Sequence, residues 1–130
     1  MLIVHLKDCP ELRAGDNSML REILHPDKTL QPDSNGQARA TKRPRYSLAH
    51  ATVPPRKNTI PHRLKTSEVY YILQGRGRMH IDNEISYVNA GDSVYIPPYS
   101  VQHISNTGDR ELTFLCIVDP AWREEDEEIF

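Results

Sequence analysis

The chain has 130 residues, of which 38% are hydrophobic and 26% are charged, and its formal net charge is −2. These values fit one soluble domain and exclude the strongly basic surface of a nucleic-acid-binding protein. No apolar run approaches the roughly 20 residues that a membrane helix needs. The two cysteines, Cys9 and Cys116, have no zinc-site spacing. With no export signal recognised, we expect a cytoplasmic protein with free thiols.

Ten prolines spread along the chain predict many short segments joined by turns. Within residues 1–45, strands are predicted at 2–6 and 19–24, followed by a long polar loop over 27–45. We expect these N-terminal strands and the loop to pack on the rest of the domain. The second half of the loop, 39–45, is basic, and we interpret it as solvated in preference to an anion site.

Residues 46–119 form the predicted core of the domain. They contain seven short runs with strand composition, each closed by a turn signal: 46–53, 68–73, 78–81, 85–88, 93–96, 101–105 and 112–118. This regular spacing predicts an all-β sandwich or barrel. The remaining residues, 120–130, form an acidic tail that we expect to be a solvated terminus.

Two predicted strands, 68–73 and 112–118, are largely apolar on both alternating faces. A strand with one wet face should instead alternate apolar and polar residues. One face of each strand is therefore expected to line the interior, and the other to be covered. We expect the cover to be a second subunit in a homodimer, with the chain's own termini as the alternative.

Six residues in this core fall at the spacing of two motifs. The first motif is G-x5-H-x-H-x3-E-x6-G and the second is G-x5-P-x-G-x2-H-x3-N. The matching residues are His62, Glu68, Gly75, Gly91, Pro97 and Asn106. In these motifs the chain resembles the small single-domain proteins of the cupin superfamily. The resemblance implies an all-β, single-domain jelly-roll barrel.

Four motif positions differ from the family pattern. Arg56 and Tyr99 stand where the motifs have glycine, and Leu64 and Gln102 stand where they have histidine. In the family, three histidines and a glutamate hold one divalent metal ion inside the barrel. Of these ligands the chain keeps His62 and Glu68. Gln102 offers a weaker, neutral amide oxygen, and Leu64 cannot coordinate.

Two other histidines are candidate ligands. If its strand face looks inward, His50 would join His62, Glu68 and Gln102 in a set of two nitrogen and two oxygen ligands. Such a set suits manganese, iron, nickel or zinc. Otherwise His50 is a hydrogen-bonded or surface residue. His103 follows Gln102 on the opposite strand face, so it can replace Gln102 only if a β-bulge shifts the register.

Glu68 and Tyr70 are the predicted catalytic residues. A carboxylate that opens an apolar strand is costly to bury unless it is paired or metal-bound, so Glu68 is predicted to be a metal ligand or a general base. The alternative is a rim glutamate paired with Arg63 or Lys65. Tyr70 lies on the same strand face, where its hydroxyl is suited to orienting a ligand or is part of the core.

The sequence thus favours a metalloprotein that binds a divalent transition metal and a small oxygenated metabolite, such as a sugar, keto acid or enol. The cupin resemblance implies isomerase, lyase or dioxygenase chemistry and does not choose among them. The alternative is a metal-free module that binds a small molecule or is purely structural. Neither a nucleic acid nor a membrane is expected as a partner.

Overall fold

Short strands joined by turns account for most of the chain in the computed structural model, which describes residues 1–28 and 43–130. The strands are β1 (Glu11–Arg13), β2 (Met19–Leu24), β3 (Ser47–Val53), β4 (His62–Leu64), β5 (Ser67–Gln74), β6 (Arg76–Ile81), β7 (Glu84–Asn89), β8 (Ser93–Ile96), β9 (Gln102–Asn106), β10 (Leu112–Asp119) and β11 (Glu127–Ile129). Two short 3-10 helices, Leu6–Asp8 and Glu124–Asp126, accompany them. Within residues 1–28 and 43–130, no helix is long and apolar enough to cross a membrane.

The strands form two antiparallel sheets. The six-stranded sheet has the order β1-β2-β3-β10-β5-β8, and the five-stranded sheet has the order β11-β4-β9-β6-β7. Both sheets contribute side chains to one core, which includes Ile72 and Phe114 from the first sheet and Met79 and Ile104 from the second. Alternate residues of each strand enter this core, as a two-layer β structure requires. The predicted all-β jelly-roll fold is confirmed.

The sequence located most of the strands. β2 coincides with its prediction, and β3 and β5 to β10 lie within two residues of theirs. The strand predicted over 2–6 is wrong. Leu2 and Ile3 are exposed there, and the chain turns into a 3-10 helix at Leu6. Of the predicted loop over 27–45, residues 29–42 lie outside the described residues, and with them most of the basic stretch.

Most side chains of the acidic tail are exposed, but part of the tail is an ordered strand. Residues Glu127–Ile129 form β11, which pairs antiparallel with β4 and supplies the edge of the five-stranded sheet. Arg63 on β4 binds Glu128 on β11, with 2.7 Å between Nη2 and Oε2. The edge of β4 exposes backbone hydrogen-bonding groups that a neighbouring strand satisfies. The tail therefore completes the sheet beside the cavity described below.

The four glycine positions of the two motifs share one backbone conformation. Gly75 and Gly91 have φ of 91° and 92°, and Arg56 and Tyr99 have φ of 63° and 68°. At Gly75 a Cβ atom would lie 2.8 Å from the carbonyl oxygen of Glu111, so glycine is needed there. The turns at Arg56 and Tyr99 thus keep a glycine-like conformation after losing the glycine, which supports the motif register.

Candidate functional site

A cavity of about 320 Å³ lies inside the barrel. Ala51 of β3, Leu64 of β4 and Phe114 of β10 form part of its apolar wall. Nine residues with titratable side chains also line it: Arg13, Asp16, Glu22, Lys28, His62, Glu68, Tyr70, Cys116 and Glu127. A concave, mostly apolar site with a few converging polar groups is typical of small-molecule sites.

Glu68 faces this cavity from β5 and is buried, with 6% of its surface exposed. Its Oε1 accepts a hydrogen bond of 2.7 Å from Nε2 of Gln102 on β9. Gln102 is 1% exposed, and its Oε1 has no hydrogen-bond partner among the described residues. Glu68 is therefore not an exposed glutamate at the rim of the barrel, and Arg63 pairs with Glu128 instead of with Glu68.

Burial raises the pKa of Glu68 from 4.5 to about 8. The hydrogen bond from Gln102 acts in the opposite direction and lowers the pKa, while the charges of Asp16 and Glu127 raise it further. A carboxyl group with this pKa is mostly protonated at neutral pH. Glu68 is therefore a hydrogen-bond and proton donor inside the cavity, which is the property of a general acid.

His62 begins β4 and is oriented by a neighbouring backbone group. Its Nδ1 lies 2.7 Å from the carbonyl oxygen of Ile60, and because a carbonyl only accepts, Nδ1 carries the hydrogen. In the neutral ring Nε2 is then an acceptor. Nε2 lies 3.8 Å from Oδ2 of Asp16. His62 thus offers the cavity a group that can take up a proton.

Asp16 is a site residue that the sequence analysis missed. It lies in the turn between β1 and β2, and its Oδ1 accepts hydrogen bonds from the backbone nitrogen and the hydroxyl of Ser18, at 2.9 and 2.7 Å. The Asp-Asn-Ser run is a recognisable turn signal, since an aspartate side chain often bonds the backbone two residues later. Nothing in that signal indicates a distant histidine as its neighbour.

Tyr70 follows Glu68 on the same face of β5 and packs against Phe114, with 4.4 Å between the ring centroids. Burial raises its pKa, and the charge of Glu68 raises it further. Burial likewise raises the pKa of Cys116. The Tyr70 phenol and the Cys116 thiol therefore both line the cavity as neutral groups, and Tyr70 is placed to orient a ligand.

The structure does not bring His50 to this group. Its neighbours Ala49 and Ala51 line the cavity, so His50 points to the other face of β3. His103 also lies elsewhere, stacked on His80 with 4.0 Å between ring centroids. Of the four predicted metal ligands, His62, Glu68 and Gln102 therefore lie in one region and His50 does not.

These residues do not fit the metal site that the motifs imply. Within 1–28 and 43–130, no three histidine, cysteine, aspartate or glutamate side chains are arranged to hold a metal ion. Leu64 occupies one histidine position and lines the cavity with a hydrocarbon side chain. Gln102 directs its amide nitrogen, which cannot bind a cation, toward Glu68. The arrangement is that of a hydrogen-bonded acid and amide.

Comparisons with known proteins agree with the motif resemblance. A sequence profile for the family described as "Cupin domain" matches residues 49–118. An uncharacterized protein of Methanocaldococcus jannaschii is 42% identical over 115 residues, which are 88% of this chain and 82% of the relative. An oxalate-binding protein of Thermotoga maritima is 31% identical over 72 residues, which are 55% of this chain and 60% of the relative.

A solved structure shows the same architecture. Pac13 of Streptomyces, described as a nucleoside dehydratase, superposes with a TM-score of 0.73 and 16% sequence identity. The match covers all of this chain and 91% of that one. At this identity the likeness concerns the fold alone.

Proposed function

The chain belongs to the cupin family, and on that premise we propose that its barrel cavity binds a small oxygenated metabolite without a metal ion. The proposal rests on one observation: buried Glu68, which accepts a hydrogen bond from Gln102, lines the same cavity as His62. In this arrangement Glu68 donates a proton and His62 accepts one. Tyr70 holds the ligand through its hydroxyl.

Proton-transfer catalysis needs a proton donor and a proton acceptor in one cavity. The raised pKa of Glu68 keeps this carboxyl protonated, while Nε2 of the neutral His62 ring is an acceptor. An acid and a base in one cavity suit the elimination of water or the shift of a proton along a sugar, keto acid or enol. Nucleoside dehydration, the activity described for Pac13, is a reaction of the first kind.

A metal-dependent activity is the second candidate, and one observation favours it. His62 donates from Nδ1 to a backbone carbonyl and leaves Nε2 toward the cavity, which is how metal-binding histidines are commonly held. In that case His62, Glu68 and Gln102 would hold manganese, iron, nickel or zinc. The chemistry would then be that of a cupin isomerase, lyase or dioxygenase.

Ligand binding with and without a chelator separates the two candidates. Trp122 is the only tryptophan of the chain and lines the cavity, so its fluorescence should report ligand entry. We expect at least one compound from a panel of pentoses, keto acids and enols to change the emission in the presence of EDTA. Binding that appears only after addition of one of the four metals would contradict the metal-free proposal and support the second candidate.

We also propose that the protein is a homodimer. Tyr71, Leu73 and Ile117 lie on the outer face of the six-stranded sheet and are 43%, 42% and 38% exposed. Such an apolar group is a candidate subunit interface. Light scattering at micromolar concentration should give twice the chain mass of 14.9 kDa. A monomer mass, or a dimer that survives Ile117→Lys unchanged, would count against this interface.

A cytoplasmic location is part of the same proposal. Cys9 and Cys116 are both free and buried, which suits a reducing compartment. Fractionation of the native cells should place the protein with soluble cytoplasmic markers, and recovery outside the cell would contradict it.

A further inference from the structure

The N-terminal hairpin carries Asp16 into the barrel. The turn is closed by hydrogen bonds from Ala14 N to Ser18 O at 2.8 Å and from Asn17 N to Ala14 O at 3.0 Å. The hairpin is then docked by Ile60, whose backbone nitrogen donates to the carbonyl oxygen of Asp16 at 2.8 Å. Backbone hydrogen bonds within the turn and from Ile60 therefore hold Asp16 beside His62.

One carboxylate oxygen of Asp16 already accepts hydrogen bonds, and the other faces His62. Oδ1 takes both hydrogen bonds from Ser18, and Oδ2 lies 3.8 Å from Nε2 of His62. That separation is too long for a direct hydrogen bond. When the His62 ring is neutral with its hydrogen on Nδ1, both atoms are acceptors. These two atoms therefore cannot hydrogen-bond to each other, and a ligand hydroxyl group can donate a hydrogen bond to either of them.

Two charged residues of the cavity lining, Lys28 and Glu22, pair with each other. Nζ of Lys28 lies 3.7 Å from Oε1 of Glu22 and 4.7 Å from the centroid of the Trp122 ring. The Trp122 indole nitrogen donates to Oε2 of Glu127 at 3.2 Å. Of the lysine and arginine side chains in the lining, Lys28 is therefore already paired, and Arg13 is exposed. The carboxylate of Asp16 additionally repels an anion.

From this geometry we infer that Asp16 determines the specificity of the site. Together with His62 it selects a small uncharged compound with hydroxyl groups and rejects small dicarboxylates such as oxalate. This inference rests on the proposed function, since it names the class of ligand for the same cavity. Asp16 lies outside residues 49–118, which match the family profile, so the preference comes from the N-terminal hairpin and not from the matched core.

The test uses the full chain, with calorimetry and Trp122 fluorescence, and the probes D-ribose, D-xylose, erythritol, oxalate and malonate. We expect the native protein to bind at least one of the three neutral probes and neither dicarboxylate. Asp16→Asn keeps the size of the side chain and an oxygen for Ser18, but places an amide donor toward His62. It should weaken binding of the neutral probe by about ten- to hundredfold, the usual effect of losing a hydrogen bond to a charged group.

The matched control is Asp109→Asn, the same change at an exposed residue outside the cavity lining. It should leave the affinities unchanged. Binding of a neutral probe that Asp16→Asn does not weaken would overturn the role of Asp16 and leave the proposed function standing. Tight binding of oxalate by the native protein would also overturn it. Binding of none of the five probes would count against both the role of Asp16 and the proposed function.

Discussion

The side-chain amide of Gln102 donates a hydrogen bond of 2.7 Å to the carboxyl group of Glu68, and both side chains are buried, Glu68 in the wall of the barrel cavity. This pair connects the two sheets, since Glu68 lies on β5 and Gln102 on β9. It replaces a carboxylate–histidine pair of metal ligands in the motif pattern by a carboxylic acid and an amide. Its clearest consequence is a dependence of stability on pH.

The free energy of unfolding should decrease as the pH rises from 4.5 to about 8. The folded protein keeps the Glu68 proton up to a pKa of about 8, whereas the unfolded chain releases it above 4.5. Below 4.5 both states are protonated and Glu68 has no effect. Between the two values the unfolded state binds fewer protons, so the native state loses stability, by at most about 1.4 kcal/mol per pH unit.

Replacing Glu68 by glutamine should reduce this dependence. Glu68→Gln keeps the shape of the side chain and is always neutral, so the variant should gain stability relative to the native protein at pH 8 and less so at pH 5. Urea unfolding at both pH values measures the difference. Glu84→Gln, at an exposed position, is the control and should shift neither curve. Equal differences at pH 5 and pH 8 for Glu68→Gln would show that Glu68 is ionised in the folded protein.

The two candidate histidines should behave differently on substitution. His62 lines the cavity and His50 faces away from it, so His62→Ala should remove the response of Trp122 fluorescence to a bound neutral probe and His50→Ala should retain it. Circular dichroism checks that both variants fold. Loss of the response in His50→Ala with the fold intact would mean that the functional site lies on the other face of β3.

Most of the fold could be predicted from the sequence because strand alternation and turn residues are local signals. The eight strands that were found span four to eight residues, and the three that were missed, β1, β4 and β11, span three each. A three-residue strand is too short to show alternation. The strand in the tail could not be predicted because its partner, β4, is distant in the sequence.

Only part of the candidate site could be predicted from the sequence. The motif spacing placed His62, Glu68 and Gln102 together, since a fixed register of neighbouring strands encodes that proximity. The direction of His50 could not be derived, because both faces of β3 carry small or apolar residues. Asp16 was missed because tertiary contacts, the pairing of β2 with β3 and the backbone bond from Ile60, bring the hairpin to the cavity.

The turn at Arg56 offers a test of the motif register. Arg56 is exposed and has a φ of 63°, in the left-handed region that costs a side-chain-bearing residue roughly 1–2 kcal/mol. Arg56→Gly should relieve this cost and stabilise the protein by about 0.5–1 kcal/mol after the entropy of glycine is counted. Thermal unfolding measures it. Lys57→Gly, at the next residue and without positive φ, should destabilise the protein, and a stabilising Lys57→Gly would contradict the explanation.

The metal content of the purified protein shows whether the barrel cavity holds a metal ion. The protein is expressed in medium supplemented with manganese, iron, nickel and zinc, desalted, and examined by elemental analysis. A site built from a carboxylic acid, an amide and one histidine should carry far less than one metal ion per chain, and His62→Ala should not change that value. Near-stoichiometric metal that is lost in His62→Ala would contradict the account and establish His62 as a metal ligand.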